Sequence, residues 1–164
     1  MKRLHIEKTV FISLLSCVGL ILGYVESFIP LFSAFPGIKI GTSNIVVLIT
    51  LYKLSVKDAL MVGVFKALLS SVLFAGIMSV YYSLPGVILS VIIMWLFKVF
   101  FCNRVSVIGV SILGSAFFNI GQILSCCVIL SSFAPMYYLG ILLIFSVLCG
   151  ALTGYISKIL LSRI

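Results

Sequence analysis

Six polar side chains stand out in a chain that is otherwise almost entirely apolar. Of its 164 residues, 63% are hydrophobic and only 9% are charged. The six polar residues interrupt or border long apolar runs: Glu26, Lys39, Asn44, Lys66, Asn119 and Gln122. Polar and ionisable side chains at membrane depth are costly, and by default they indicate a functional site. We therefore take these six as candidate substrate-binding residues.

The segment before Asn44 has the composition of an anion-binding helix start. Thr42, Ser43 and Asn44 precede the apolar run from Ile45 to Leu51, and Lys39 lies just ahead of them. The first backbone N–H groups of a helix carry partial positive charge, and Thr, Ser and Asn favour such positions. Together with a lysine they can hold the anionic group of a ligand. Short membrane helices whose N-termini point at substrates recur in transporters.

Each candidate also has a purely structural alternative. Asn119 and Gln122 share a helix face at a spacing of three residues and can simply hydrogen-bond a neighbouring helix. Glu26 and Lys39 can form an interfacial ion pair. Lys66 lies about 13 Å along a helix from Lys57, at 1.5 Å per residue, which is deep for a lysine that must reach the membrane surface.

The remaining reactive residue types do not form a catalytic or metal-binding pattern. The five cysteines are Cys17, Cys102, Cys126, Cys127 and Cys149, and the one histidine is His5. No two cysteines have a Cys-x-x-Cys spacing, so the sequence predicts no metal site and no cofactor. There is no phosphate-binding loop with a Gly-Lys-Ser/Thr ending. With Glu7, Glu26 and Asp58 as the only acids, we expect the chain not to be an enzyme.

The composition predicts an integral membrane protein formed by a single domain, residues 1–164. A formal charge of +8 is spread singly between apolar runs, which does not favour nucleic-acid binding. A helix needs about 20 apolar residues to cross the hydrocarbon core. The charges, prolines and glycines divide the chain into an all-α bundle of six transmembrane helices: 9–29, 40–52, 56–79, 83–101, 105–130 and 136–161.

The basic residues predict the orientation of these helices. Lysines and arginines accumulate in short cytoplasmic loops. In this chain they lie before helix 1, between helices 2 and 3, between helices 4 and 5, and at the end: Lys2, Arg3, Lys8, Lys53, Lys57, Lys98, Arg104, Lys158 and Arg163. The links between helices 3 and 4 and between helices 5 and 6 carry no charge. We therefore expect a multi-pass protein of the plasma membrane with both termini in the cytoplasm.

Small residues recur every four positions on three of the predicted helices. They lie at Gly19 and Gly23, from Gly63 to Ala75, and from Ser146 to Gly154. Such spacing lets helix backbones approach closely, so we interpret it mainly as internal packing. The alternative is a docking face for another membrane subunit, for which Ser13 and Cys17 on helix 1 are the candidates.

Several motifs resemble one bacterial membrane-protein family. They are Gly23-Tyr-Val-Glu26-Ser-x-Ile-Pro30, Pro36-Gly37-Ile-Lys39-x-Gly41-x-x-Asn44, Phe65-Lys66-Ala and Asn119-Ile-Gly121-Gln122. This set is similar to the Gx transporter family, which is also labelled heptaprenyl diphosphate synthase component I. Two positions depart from the family pattern, since Lys66 stands where arginine is usual and Phe118 where histidine is frequent.

The two family labels imply different functions. The first implies a six-helix fold similar to the substrate-binding (S) components of energy-coupling factor (ECF) transporters, with a small-molecule substrate and an ECF-type coupling subunit and ATPases as partners. In such a protein, Ser13 and Cys17 would match the small-residue patch on helix 1 that contacts the coupling subunit. The second label implies a partner polyprenyl synthase subunit. Catalysis of prenyl transfer needs Mg²⁺ held by several carboxylates, whereas this chain has one aspartate, Asp58.

Three hypotheses therefore stand. The leading one is a membrane subunit that binds a small, anionic or vitamin-like substrate for an ECF-type transporter. The second is a non-catalytic accessory protein of polyprenyl diphosphate or quinone metabolism that contacts membrane lipid, an isoprenoid or a partner enzyme. The third is a structural subunit. Polar groups converging between helices would favour the first, a groove open to lipid the second, and a solid bundle the third.

Overall fold

The described part of the chain is helical throughout. A computed structural model describes residues 2–27, 41, 44–101 and 105–163. Within them lie the helices α1 (Lys2–Ser27), α2 (Asn44–Lys53), α3 (Val56–Ser70), α4 (Met78–Phe100), α5 (Val107–Leu130) and α6 (Leu139–Arg163). A π-helical turn, Ser71–Ala75, follows α3, and a 3₁₀ turn, Ala134–Tyr138, precedes α6. The all-α class is confirmed for these residues.

Four segments are long and apolar enough to cross a membrane. They are Lys8–Val25, Met78–Phe100, Val107–Leu130 and Ala134–Arg163. The helix α2, with 10 residues, is too short to do so by itself. The lengths of these four segments agree with the predicted membrane protein. The helix α2 is not a span of the same kind, because it is about half as long.

The short helix α2 lies at the centre of the bundle. Every residue from Ile45 to Leu51 is buried, and α2 packs against α1, α3, α4 and α6. A helix that is apolar on all sides is stable only when it is enclosed by others. Its one polar core side chain, Thr50, donates from Oγ1 to the Val46 carbonyl 2.8 Å away within the same helix. The apolar sequence of α2 thus explains its central position.

The helices pack in a closed ring of which α2 is a member. Contacts run from α2 to α3, then to α4, α5 and α6, and from α6 back to α2, while α1 packs outside this ring against α2 and α3. The main apolar core fills the ring with side chains from α2, α3, α4 and α5, including Leu48, Val62, Val91 and Val110. Because α1 covers the outside of α2, the ring helices with an exposed outer side are α3, α4, α5 and α6.

The small-residue spacings on α3 and α6 are internal seams, as predicted. A Cβ on Gly63 would lie 2.7 Å from a methyl group of Val87 on α4. On α6, a Cβ on Gly150 would lie 2.7 Å from the Ile112 Cα, and one on Gly154 would lie 2.8 Å from the Ile108 Cα. These are closer than ordinary Cβ contacts, so glycine is needed for α6 to lie this near to α5.

The predicted boundary between helices 3 and 4 is wrong. The sequence prediction ends helix 3 at residue 79 and begins helix 4 at residue 83, with Pro85 already inside helix 4. In the structure the chain breaks earlier, at Gly76, whose φ of +82° is readily available only to glycine. The helix α4 begins at Met78 and contains Pro85 in its interior, as membrane helices tolerate.

Two lysine contacts connect the ends of helices that carry the basic residues. The Lys98 ammonium donates to the Leu51 carbonyl at the end of α2, 2.7 Å away, and lies over the ring of Tyr52. Lys8 forms an ion pair with Asp58 at 2.9 Å, and Asp58 also caps the start of α3 together with Ser55. The start of α1, the end of α2, the start of α3 and the end of α4 therefore lie at one end of the bundle, which we call the basic end.

A matched pair of glycines on α6 tests the seam. We expect Gly154→Ala to lower the free energy of unfolding by about 1–3 kcal/mol, because the added methyl group overpacks the contact with α5. Gly140→Ala is the control, since nothing lies within 4 Å of a Cβ at that position. Equal stability of the two variants in detergent unfolding measurements would show that α6 does not need this close approach.

Candidate functional site

Asn44 is positioned at the start of α2 by a glycine turn. Its backbone N–H donates to the Gly41 carbonyl, 2.7 Å away. Gly41 has a φ of +74°, a left-handed conformation that other residues rarely adopt. The turn fixes the direction in which α2 begins and therefore where the Asn44 side chain can reach.

Lys66 meets Asn44 inside the bundle, although the two are 22 positions apart. Its ammonium Nζ donates to the Asn44 Oδ1 at a distance of 2.8 Å. Only 7% of Lys66 is exposed. Its aliphatic stem passes Gly19 of α1, where a Cβ would lie 3.6 Å from the Lys66 Cδ. Three helices thus contribute to the site, and we call Asn44 and Lys66 the buried pair.

The electrostatics of the buried pair favour an anionic ligand group. The ammonium of a lysine is a compact positive charge, and Lys66 places that charge beside Asn44 at the start of α2. The first turn of α2 adds N–H groups that lack acceptors within the helix and carry partial positive charge. A carboxylate or phosphate oxygen near the start of α2 would interact favourably with both features.

Asn119 is used differently, as a link between helices. Its amide nitrogen donates to the Leu142 carbonyl of α6 at 3.2 Å. This is the structural alternative that the sequence left open for Asn119, and it adds to the α5–α6 seam. A contact of Asn119 with a substrate stays a prediction.

Gln122, one helical turn further on, has a different environment. Its side-chain oxygen Oε1 is buried and has no hydrogen-bond partner among the described residues. Buried polar atoms are nearly always paired, so this acceptor is unusual. The structural alternative of a hydrogen bond to a neighbouring helix is therefore seen for Asn119, and a contact of Gln122 with a substrate stays a prediction.

Two of the predicted site residues fall outside what the structure describes. Lys39 belongs to the segment 28–40, which is not described, and the same holds for Thr42 and Ser43. Glu26 lies in α1, but its side chain is not described. The proposed Glu26–Lys39 ion pair and the position of Lys39 ahead of α2 stay predictions.

The candidate docking residues lie on the outer side of α1. Both Ser13 and Cys17 are exposed, and their neighbours Leu14 and Val18 are exposed as well. The Ser13 hydroxyl donates to the Thr9 carbonyl, 3.0 Å away in the same helix. This face is available to lipid or to another membrane protein, as the docking hypothesis requires, but docking itself stays a prediction.

Sequence reasoning missed a set of buried hydroxyl groups between α5 and α6. The Ser111 and Thr153 hydroxyls lie 3.0 Å apart, and the Ser115 hydroxyl donates to the Ser146 carbonyl at 3.0 Å. The spacing of four between Ser111 and Ser115 was a usable signal, because such positions lie on one helix face. Each of these hydroxyl groups has a partner within the bundle, and the bonds support the contact between α5 and α6.

Metal ligands do not come together in the part of the chain described. No group of three or more His, Cys, Asp or Glu side chains has an arrangement that could hold a metal ion there. Asp58, the aspartate that a diphosphate-binding magnesium site would need, is engaged with Lys8 and Ser55 at the basic end.

Comparison with known proteins identifies the family. No curated protein and no solved structure matches the chain. The expected similarity to the S components of ECF transporters therefore stays a prediction. The family model described as heptaprenyl diphosphate synthase component I matches residues 15–160. This range includes the buried pair, Asn119, Gln122 and the seams between helices. Since the match covers most of the sequence, the chain belongs to the heptaprenyl diphosphate synthase component I family.

Proposed function

We propose that this protein is a non-catalytic membrane subunit that binds a small organic compound through an anionic group. The observation that carries the proposal is the buried pair, in which a lysine only 7% exposed bonds to Asn44 at the start of the central helix. An ionisable side chain within a membrane bundle is costly and indicates a functional site. The apolar body of the compound would rest against the apolar side chains of the surrounding helices.

Membership of the family agrees with a non-catalytic role. Component I is a non-catalytic subunit of heptaprenyl diphosphate synthase, and the sequence prediction that the chain is not itself an enzyme is thereby confirmed. The catalysis of prenyl transfer, or the energy that drives uptake, must then come from another polypeptide. The family name itself indicates a polyprenyl synthase subunit as one partner.

We infer that the chain crosses the plasma membrane six times, with both termini in the cytoplasm. Four helices have the length and composition of spans. The helix α3 and the π-helical turn together cover residues 56–75, and α2 is a buried member of the ring. The Lys8–Asp58 and Lys98–Leu51 contacts bring basic residues from separate parts of the sequence to one end. By the positive-inside rule this basic end faces the cytoplasm.

One form of the proposal is a substrate-binding subunit of an ECF-type transporter. The observation that favours it is the convergence of polar groups from two helices in the bundle interior, rather than on the lipid-facing side. In this form the chain captures an anionic or vitamin-like compound, and a coupling subunit with ATPases drives its uptake. Ser13 and Cys17, exposed on α1, would contact the coupling subunit.

The second form is an accessory protein of polyprenyl diphosphate synthesis. The family description favours it, and a diphosphate is an anionic group that Lys66 and the start of α2 suit. In this form the chain would hold an isoprenoid diphosphate in the membrane for a separate synthase subunit. Both forms use the same buried pair, and they differ in the partner and in the compound bound.

Native mass spectrometry of the protein, purified gently from membranes, separates these forms. We expect wild type to retain an anionic small molecule whose mass identifies its class, and Lys66→Met to lose it. Lys57→Met is the control, because Lys57 is exposed at the start of α3. Co-purification of ATPase subunits would select the transporter, and co-purification of a prenyl synthase would select the accessory role. Equal retention of the molecule by wild type and Lys66→Met would contradict the proposed site.

A double-mutant cycle tests the hydrogen bond of the buried pair. We expect Asn44→Ala to lower the free energy of unfolding by about 1–3 kcal/mol, because it removes an acceptor from a buried ammonium group. In the Lys66→Met background the same substitution should cost less, giving a coupling energy of about 1 kcal/mol.

The matched cycle pairs Asn44→Ala with Lys57→Met, because Lys57 lies about 13 Å along α3 from Lys66, the residue that bonds to Asn44. These two substitutions should be additive within about 0.5 kcal/mol. If the Asn44–Lys66 cycle is equally additive, the two side chains do not interact in the folded protein.

Cysteine labelling tests the orientation in the membrane. With the native cysteines replaced by alanine, we expect Lys53→Cys and Lys57→Cys to react only with reagents that reach the cytoplasm. Ser131→Cys, in the uncharged turn after α5, should react from the outside. Labelling of position 131 from the cytoplasmic side would overturn the six-span topology.

A further inference from the structure

The side chain of Gln122 faces the interior of the helix ring. Successive residues of an α-helix are rotated by about 100°. Gly121 faces α4, where a Cβ would lie 2.8 Å from the Gly86 Cα, and Asn119 faces α6 through its bond to Leu142. By this rotation Gln122 lies between these two directions. Leu124, which is 48% exposed, lies on the opposite side of α5.

The neighbour one turn before Gln122 supports this assignment. Phe118 lies four residues earlier on the same face of α5 and packs against the main apolar core. Gln122 therefore continues a core-facing stripe toward the end of α5 that is away from the basic end. Asn44, at the start of α2, likewise lies away from the basic end, because Lys98 bonds there to the Leu51 carbonyl in the last turn of α2.

The buried oxygen of Gln122 lacks the donor that such an atom normally has. Its Oε1 has no hydrogen-bond partner among the described residues. An unpaired buried acceptor is destabilising in the folded protein. Asn119, on the same helix and close in sequence, is paired, so the absence is particular to Gln122 and is not general to polar groups on α5.

We propose that Gln122 is a ligand contact, whose Oε1 accepts a hydrogen bond from a hydroxyl or N–H group of the compound held by the buried pair. This inference rests on the proposed function and narrows its substrate class. The compound would carry an anionic group for Lys66, an apolar body, and at least one neutral hydrogen-bond donor. An isoprenoid diphosphate without a hydroxyl or N–H group would satisfy only the first two conditions.

The test uses pairs of probes that differ by one donor. Hexanoate is compared with 6-hydroxyhexanoate, and octanoate with 8-hydroxyoctanoate, in binding and thermal-melting measurements on the full chain in lipid nanodiscs. We expect wild type to bind the preferred hydroxylated acid roughly tenfold more tightly than its unsubstituted partner. In Gln122→Leu this preference should disappear, while the melting temperature without ligand should equal or exceed that of wild type.

Two further variants make the outcomes distinguishable. Ser125→Ala is the control, because the Ser125 hydroxyl is already bonded to the Gly121 carbonyl within α5, and it should keep the preference. Lys66→Met should weaken binding of both acids of a pair. If wild type binds both acids equally and Lys66→Met weakens both, the role of Gln122 is refuted while the anion site stands. Binding of neither acid by wild type would refute the anion site itself.

The melting temperature distinguishes a ligand contact from a structural one. A Gln122→Leu variant that melts well below wild type would show that its amide has a partner within the folded protein, such as a trapped water. That result would overturn the inference, because an amide oxygen that is bonded within the folded protein is not an unpaired acceptor for a ligand. A preference for hydroxylated acids that persists in Gln122→Leu would overturn it as well.

Discussion

The hydrogen bond between Lys66 and Asn44 is the interaction on which the proposed site depends. A lysine inside an apolar bundle loses its hydration, and this loss is tolerated only where protein or ligand groups replace the water. Asn44 supplies one such group at 2.8 Å, because the ten-residue helix α2 begins beside Lys66 within the bundle. The short length of α2 and its complete enclosure are therefore conditions for the site.

The central helix is held at both ends by lysines from other helices. Lys66 of α3 reaches its first residue, and Lys98 of α4 reaches the Leu51 carbonyl in its last turn. A cation at the C-terminal end of a helix is favourable because the carbonyl groups there carry partial negative charge. At the N-terminal end the same sign of charge is unfavourable for the helix itself. That contrast is a physical reason to connect Lys66 with an anionic ligand and Lys98 with stability.

The family name and the chemistry of the chain agree on one point, that catalysis lies elsewhere. Component I is one part of a synthase, and a single aspartate bonded to Lys8 and Ser55 cannot form the carboxylate cluster that magnesium diphosphates need. A binding subunit of a transporter and a binding subunit of a synthase would share this property. The two forms differ at Gln122. A hydrogen bond to its Oε1 needs a hydroxyl or N–H group on the ligand, which an isoprenoid diphosphate without such a group cannot provide.

The sequence by itself determined the membrane class, the all-helical fold and the polar residues of interest, because composition and hydrophobic run length depend only on local chemistry. It also indicated that Gly150 and Gly154 pack against another helix. It placed the start of helix 4 at residue 83 and not at Met78, because the break at Gly76 is a matter of backbone conformation that composition does not reveal. Which polar side chains meet was decided by tertiary structure alone. Asn44 and Lys66 come together, Asn119 bonds to α6, and the Gln122 oxygen is left without a partner among the described residues, because the order of helices around α2 sets these contacts and no local pattern encodes that order.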